Sequence, residues 1–202
     1  MDDHHNADKD GWRVKLKQRR KAIDGEQRKQ AGESAAWRLA GSALWSQSDV
    51  IAVYSPLSGE FDPTPIAERA WSDNKTVCLP KVDRSVMRFY LWDKDDALEA
   101  GAFGISEPTA DQEIQHIDLL VMPLVGWTLK GTRLGMGAGY YDRFLGTLPE
   151  NMRPLSVGLA HEVQRVADPI ERKRWDIPLD AVAPEAGWQA FSLRAKVLTR
   201  RQ

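Results

Sequence analysis

The sequence predicts a single α/β domain in which helices flank a mostly parallel sheet, preceded by a helical N-terminal extension. Short β-branched and apolar runs alternate with segments of helical periodicity, which is the pattern of parallel sheets. A chain of 202 residues is long enough for one sizeable core and short for two full domains. We therefore divide it into a mobile segment 1–11, an α/β domain 12–190 and a basic tail 191–202.

Helices are indicated by apolar periodicity and by residues that start or stop a helix. The Asp24-Gly25 pair separates the first two helices. Asp62 is placed as the N-cap of the third helix, with Pro63 in its first turn. The predicted helices cover residues 12–23, 26–45, 62 to about 74, and a segment that begins at Tyr140.

Strands are indicated by short β-branched or alternating runs between turn residues. They are predicted at residues 50–54, 76–79, 87–91, 119–122 and 155–159. The single cysteine, Cys78, falls in the second strand, where a buried thiol is expected. Ligands collect at the carboxyl ends of parallel strands, so the loop 55–62 and the segment after Pro123 are expected to face one cleft. The connection 101–115 is either a plain loop or a wall of that cleft.

The charge balance limits the possible partners. With 28 basic and 29 acidic residues the formal charge is −1, so the whole chain has no electrostatic attraction to nucleic acid or anionic lipid. The basic segment 13–38 is interpreted as a solvated helix face; an RNA-binding arm is the alternative. No apolar run is long enough to cross a bilayer. We expect a cytoplasmic monomer with no nucleic-acid or membrane partner.

Four closely spaced glycines stand between the fourth strand and the helix that begins at Tyr140. Gly131, Gly135, Gly137 and Gly139 tolerate positive φ, and can turn successive backbone N–H groups toward one anion. A phosphate fits best. The spacing matches neither a Walker A loop nor the dinucleotide fingerprint.

Two charged residues flank these glycines. The guanidinium of Arg133 can grip a phosphate bidentately, and the carboxylate of Asp142 can hold Mg²⁺. The alternative for Asp142 is a first-turn acid favoured by the helix dipole.

The segment 133–143 also carries a specific resemblance. Its sequence, Arg-Leu-Gly-Met-Gly-Ala-Gly-Tyr-Tyr-Asp-Arg, resembles the signature of the 5-formyltetrahydrofolate cyclo-ligase family. The resemblance extends from about Arg13 to Val182. Supporting matches are the basic N-terminal helix, Tyr54 with Glu60, Leu79-Pro80, Met87 with Phe89, Gly104-Ile105, Glu107-Pro108, Asp118, Pro123-Leu124 and the segment 175–179.

The resemblance implies an enzyme that uses ATP and Mg²⁺ to convert 5-formyltetrahydrofolate into 5,10-methenyltetrahydrofolate, releasing ADP and phosphate. A non-catalytic nucleotide- or folate-binding regulator of the same fold is the alternative. The resemblance implies that the metal ligands are Asp142 and Asp176 and that the catalytic residues are Arg133, Tyr141 and Asp142. It places the ATP contacts on one continuous segment, namely Arg133, Leu134, Gly135, Met136, Gly137, Ala138, Gly139, Tyr140 and Tyr141.

The family's N-terminal nucleotide contacts are a Lys and an Arg four residues apart. We place them on Arg13 and Lys17, where the two identities are exchanged. A four-residue step puts both side chains on one helix face. Lys15 with Arg19 is the rival register.

On the folate side, the resemblance places substrate contacts at Ser55 and Glu60 and along residues 136–140, namely Met136, Gly137, Ala138, Gly139 and Tyr140. Phe89 and Trp92 are predicted walls for the flat pterin; core packing is the alternative. The chain departs from the family's pattern at Thr128, Ala138 and Pro184.

Overall fold

A computed structural model describes residues 3–167, 170–185 and 187–198. Within these residues the main sheet has seven strands in the order β11-β10-β9-β6-β1-β2-β3. Its strands are β1 Val50–Ala52, β2 Thr76–Asp83, β3 Val86–Leu91, β6 Leu119–Pro123, β9 Leu155–Leu159, β10 Ala181–Ala183 and β11 Gln189–Ala190. The five inner strands are parallel, and the edge strands β3 and β11 run antiparallel to their neighbours. The predicted single-domain α/β fold with a mostly parallel sheet is confirmed.

Two small hairpins lie outside the main sheet. The first pairs β4 Leu98–Ala100 with β5 Ser106–Pro108, and the second pairs β7 Gly126–Trp127 with β8 Arg133–Leu134. Both fall in segments for which the sequence predicts no strand, because two or three residues are too few to show a period.

The helices are α1 Asp3–Lys21, α2 Gly25–Ala40, α3 Ala43–Ser46, α4 Thr64–Ser72, α5 Tyr140–Thr147 and α6 Leu193–Leu198. Helix α1 begins nine residues before its predicted start at residue 12, and α6 occupies part of the predicted tail. The predicted second helix is divided in two because the side chain of Ser42 accepts a hydrogen bond from the Trp45 N–H and caps a new helix. The mobility of segment 1–11 stays a prediction.

The start of α4 differs from the prediction by one residue. Pro63 occupies the N-cap position, where Asp62 was expected. The Asp62 carboxylate nevertheless accepts the Thr64 N–H at 2.9 Å, so it still satisfies a free donor at the helix start.

The sheet is buried on both faces. Successive strand residues such as Ile51 and Ala52 point to opposite faces and belong to two different apolar clusters. Helices α2 and α4 cover one cluster and α5 covers the other. The thiol of Cys78 is buried as predicted, and burial raises its pKa.

Helix α1 packs across the β7–β8 hairpin through the fully buried side chain of Leu16. A Cβ on Gly126 would lie 2.5 Å from Leu16 Cδ1, so only glycine admits the helix at this distance. This contact fixes α1 beside the glycine segment. No helix among the described residues is both long and apolar enough to span a membrane.

Candidate active site

A cavity of about 970 Å³ opens at the carboxyl edge of the sheet. Its floor includes Tyr54 and Ser55 after β1, and Pro123 and Leu124 at the end of β6. The parallel strands β1 and β6 are neighbours in the sheet, and β2, which follows β1 in sequence, lies on the other side of β1. The strand order therefore reverses between β1 and β6, and the cavity lies at this topological switch point. The loop 55–62 and the glycine segment share this cavity, as the sequence predicts.

The glycine segment enters the cavity only in its second half. Gly137 and Gly139 line it with φ angles of 110° and 69°, in the left-handed region that favours glycine. Gly131 instead forms the turn of the β7–β8 hairpin, where an added Cβ would lie 3.0 Å from the Phe191 ring. The prediction that Gly131 joins the anion-binding turn is therefore wrong.

The N-terminus of α5 opens into the cavity. Its N-cap is Gly139, which has no side chain to accept the first N–H groups of the helix. The first intrahelical bond runs from the Arg143 N–H to the Gly139 carbonyl at 3.0 Å. The amides of residues 140–142 and the helix dipole therefore favour an anion here.

Arg133 and Asp142 form an ion pair beside this helix end. An Nη of Arg133 donates to one oxygen of Asp142 at 2.9 Å, and the Ile177 N–H donates to the other at 3.1 Å. The Arg133 guanidinium also lies 5.3 Å from the ring centre of Tyr141. Its buried Nε has no hydrogen-bond partner among the described residues, so the side chain retains donor capacity.

Tyr141 contacts this pair, and its half-buried side chain lines the cavity. Burial raises the pKa of Tyr141, the Arg133 charge opposes the rise, and Glu60 adds to it. The phenol is therefore neutral at physiological pH, so it is available as a hydrogen-bond donor and is not an anionic base.

The second predicted metal ligand, Asp176, lies next to the residue that contacts Asp142. One oxygen of Asp176 accepts from Lys9 Nζ and from the Lys173 N–H, each at 2.9 Å. The described residues contain no cluster of three or more His, Cys, Asp or Glu side chains suited to a metal. Two carboxylates beside a helix end that favours an anion fit Mg²⁺, which often takes its other ligands from water and phosphate oxygens.

The structure brings a different pair of basic residues of α1 to the cavity than the predicted pair. Arg13 lines the cavity as predicted, and its Nε donates to the Gly135 carbonyl at 2.9 Å. Lys17 does not line the cavity, although it lies on the same helix face as Arg13, because it is one turn further along α1. Lys15 and Arg19 of the rival register lie on other faces of α1 and do not line it either. Lys9 does line it, one helical step before Arg13. The order Lys-x₃-Arg in residues 9–13 is the signal that sequence reasoning missed.

Glu60 lies inside the cavity and not on an exposed loop. Its side chain is 5% exposed, with one oxygen 3.5 Å from Arg20 Nη1 and the other accepting the Leu57 N–H at 3.0 Å. The neighbouring Tyr54 hydroxyl donates to the Phe61 carbonyl, and burial followed by the Glu60 charge raises its pKa. Glu60 is thus a fixed carboxylate held by a buried cation, with Ser55 beside it in the lining.

The two predicted aromatic walls do not line the cavity. Phe89 is buried against Phe144, with ring centres 4.9 Å apart, and Trp92 packs on Trp71 at 4.7 Å. Because β3 runs antiparallel to β2, its first residues lie at the carboxyl edge and its later residues point away from it. Both aromatic residues follow Met87, which does reach the cavity.

Other apolar residues form the walls in their place. The connection 101–115 is a cleft wall, since Phe103, Ile105 and Glu107 line the cavity. Phe103 is 70% exposed and Trp175 is 56% exposed at the rim. An exposed aromatic in a turn carries no periodic signal, so sequence reasoning did not find either residue.

Comparison with known proteins agrees with this geometry. The model of the 5-formyltetrahydrofolate cyclo-ligase family matches residues 5–185. The chain belongs to this family. The family is one of ligases, so the protein is an enzyme.

Individual members of the family resemble the chain over most of its length. The 5-formyltetrahydrofolate cyclo-ligase of Escherichia coli K12 is 33% identical over 183 residues, covering 86% of this chain and 99% of the relative. The cyclo-ligase of Haemophilus influenzae is 30% identical, covering 83% and 92%. The NMR structure of Aquifex aeolicus 5,10-methenyltetrahydrofolate synthetase superposes with a TM-score of 0.78 at 31% identity, covering 91% and 92%. The family's fold is therefore present nearly complete.

Proposed function

We propose that this enzyme uses MgATP to convert 5-formyltetrahydrofolate into 5,10-methenyltetrahydrofolate, with release of ADP and phosphate. The observation that carries the proposal is one cavity that joins two different sites. An open helix N-terminus with Arg133 and two carboxylates suits a magnesium-bound triphosphate, and a buried carboxylate at Glu60 suits the polar edge of a pterin. Relatives with this fold are named for the same conversion.

The proposed chemistry activates the formyl oxygen. This oxygen attacks the γ-phosphorus, the bond to the β,γ-bridging oxygen breaks, and ADP leaves. N10 of the folate then attacks the formyl carbon, its proton passes to an oxygen of the phosphate group, and the C–O bond breaks with its electron pair to release hydrogen phosphate. The formyl oxygen leaves in that phosphate, so no water or redox partner is needed.

The chain's residues have distinct parts in this scheme. The first-turn amides of α5, with Arg133, hold the γ-phosphate in line with the formyl oxygen and neutralise the charge of the transferring group. Asp142 and Asp176 are the candidate Mg²⁺ ligands, and the metal would supply charge neutralisation of the phosphates. Lys9 and Arg13 extend the positive lining toward the rest of the nucleotide.

Glu60 and Ser55 are proposed to hold the folate. The glycine segment 136–140 lines the same cavity, so it is proposed to border both ligands. We also propose that the enzyme acts as a cytoplasmic monomer without nucleic-acid or membrane partners. The nearly balanced charge supports the absence of such partners.

A direct assay tests the proposal. Purified protein given 5-formyltetrahydrofolate and MgATP should generate the near-ultraviolet absorbance of the methenyl product together with stoichiometric ADP. Binding of both ligands without product would support a non-catalytic regulator instead. Protein that binds neither ligand would refute both functions.

A further inference from the structure

The side chain of Arg143, in the first turn of α5, holds the peptide that precedes the helix. Its Nη1 donates to the Ala138 carbonyl at 2.7 Å. Its Nε donates to the Ser85 carbonyl at 3.2 Å, and the guanidinium covers the Tyr140 ring at 4.8 Å. One planar group therefore connects the glycine segment to the β2–β3 hairpin.

The Ala138 contact fixes the direction of a neighbouring amide. In a trans peptide the C=O and N–H point to opposite sides, so holding the Ala138 oxygen at Arg143 turns the Gly139 N–H away from the guanidinium. Gly139 is the N-cap of α5 at φ 69°, and its N–H is the last amide before those of the helix. We propose that Arg143 is a positioning residue that presents the Gly139 N–H to the phosphate bound at this helix end. The proposal rests on the proposed function, because the phosphate is that of MgATP.

The hairpin gives Arg143 a fixed support. Arg84 and Ser85 form the two-residue turn between β2 and β3, with Arg84 at φ 53°. Both turn carbonyls accept from the first turn of α5, since the Tyr140 hydroxyl donates to Arg84 at 3.1 Å. Two adjacent carbonyls of the hairpin turn therefore contact two side chains of one helical turn.

A second guanidinium holds the other end of the same segment. Arg13 Nε donates to the Gly135 carbonyl at 2.9 Å. The segment 135–139 is therefore held at both ends through carbonyl oxygens, which leaves its N–H groups for a ligand. Such preorganised donors stabilise transferring charge without reorganising during the reaction.

The two contacts of Arg143 demand a planar fork. A lysine keeps the charge but its single ammonium cannot reproduce that geometry. Arg143→Lys therefore separates positioning from a simple charge effect. Arg88→Ala is a matched control, because Arg88 is a half-exposed arginine on β3 that faces Glu113 at 3.7 Å.

The test measures two quantities separately: the backbone order of the segment 135–139 in the ligand-free protein, and the affinity of the protein for MgATP. In ¹⁵N relaxation on the ligand-free protein, the order parameters of the Ala138 and Gly139 amides should fall in Arg143→Lys and Arg143→Ala and stay unchanged in Arg88→Ala. By calorimetry, the Kd for MgATP should rise roughly tenfold in both Arg143 variants, as for loss of one charge-assisted hydrogen bond. The Kd for 5-formyltetrahydrofolate should rise less than the Kd for MgATP, because the folate contacts proposed at Glu60 and Ser55 lie outside this segment.

Two results would overturn the inference. Wild-type MgATP affinity in Arg143→Lys would show that only charge matters, and unchanged amide order in Arg143→Ala would show that the loop does not depend on this side chain. If the proposed function is wrong, the wild-type protein itself will not bind MgATP, which differs from both of these results. The ¹⁵N relaxation measurement still tests in that case whether Arg143 orders the segment 135–139.

Discussion

Arg133 and Asp142 form a salt bridge of 2.9 Å at the N-terminus of α5, and the Arg133 side chain is only 6% exposed. The same carboxylate accepts the Ile177 N–H, which brings the segment containing Asp176 to the helix end. One ion pair therefore assembles the guanidinium and both candidate metal ligands around the place proposed for the γ-phosphate.

Asp142→Asn is expected to lower kcat by roughly 10²-fold, because a neutral amide is a poor Mg²⁺ ligand and no longer balances Arg133. Folate binding should change little. Steady-state kinetics and folate titration on the same preparation measure both effects. Wild-type turnover in this variant would refute the metal-ligand role.

Glu60→Gln is expected to raise the Kd for folate by roughly tenfold, the loss of one hydrogen bond to a charged group, with ATP affinity nearly intact. Fluorescence or calorimetric titration of each ligand measures the two affinities. Glu99→Gln, an exposed change on β4, is the control. The reverse outcome, in which ATP binding weakens instead, would move Glu60 out of the pterin site.

The position of α1 beside the cavity predicts a difference between two lysines of this helix. Lys9→Met removes a cation from the cavity and from Asp176, so the KM for ATP should rise several-fold, on the order of a lost charged hydrogen bond. Lys17→Met should leave it unchanged, because Lys17 lies outside the cavity lining. An equal effect of the two changes on the KM for ATP would contradict this prediction.

Gly137→Ala is expected to destabilise the protein by roughly 1–3 kcal/mol, because an L side chain at φ 110° is strained. The KM for ATP should rise in parallel as the loop shifts to relieve that strain. Gly11→Ala, in open space within α1, should instead stabilise by roughly 0.5–1 kcal/mol. Chemical denaturation measures both; a stabilised Gly137→Ala variant would exclude strain at this turn.

The Asp180–Arg194 pair makes stability depend on acid pH. Burial by itself would raise the pKa of Asp180, but hydrogen bonds from Arg194 and Ser156 outweigh it and hold the pKa below its usual value. The stabilisation is therefore present at neutral pH and is lost as the pH falls through the lowered pKa. Asp180→Asn should lower Tm at pH 7 and have a smaller effect near pH 3. An equal loss of Tm at both pH values would show that charge is not the cause.

Much of the fold follows from local sequence. The strands at 119–123 and 155–159 are apolar runs whose ends match the prediction within one residue, because burial on both faces requires uninterrupted apolar sequence. The strands β10 and β11 escaped prediction, since two or three residues carry no period. Ser42 was not recognised as a cap, because a serine in an alanine-rich helical segment does not interrupt the apolar spacing.

The sequence by itself determined the chemistry of the candidate site. Glycines at 137 and 139, the cation at 133 and the acid at 142 stand within a few residues of one another, so their proximity is a local property of the chain. Tertiary structure alone decided which distant side chains join them. Lys9 and Arg13 reach the cavity because Leu16 seats α1 against Gly126, whereas Phe89 and Trp92 miss it because β3 runs away from the carboxyl edge. The direction of a strand and the face of a helix turned to a neighbour depend on long-range packing, which no short segment encodes.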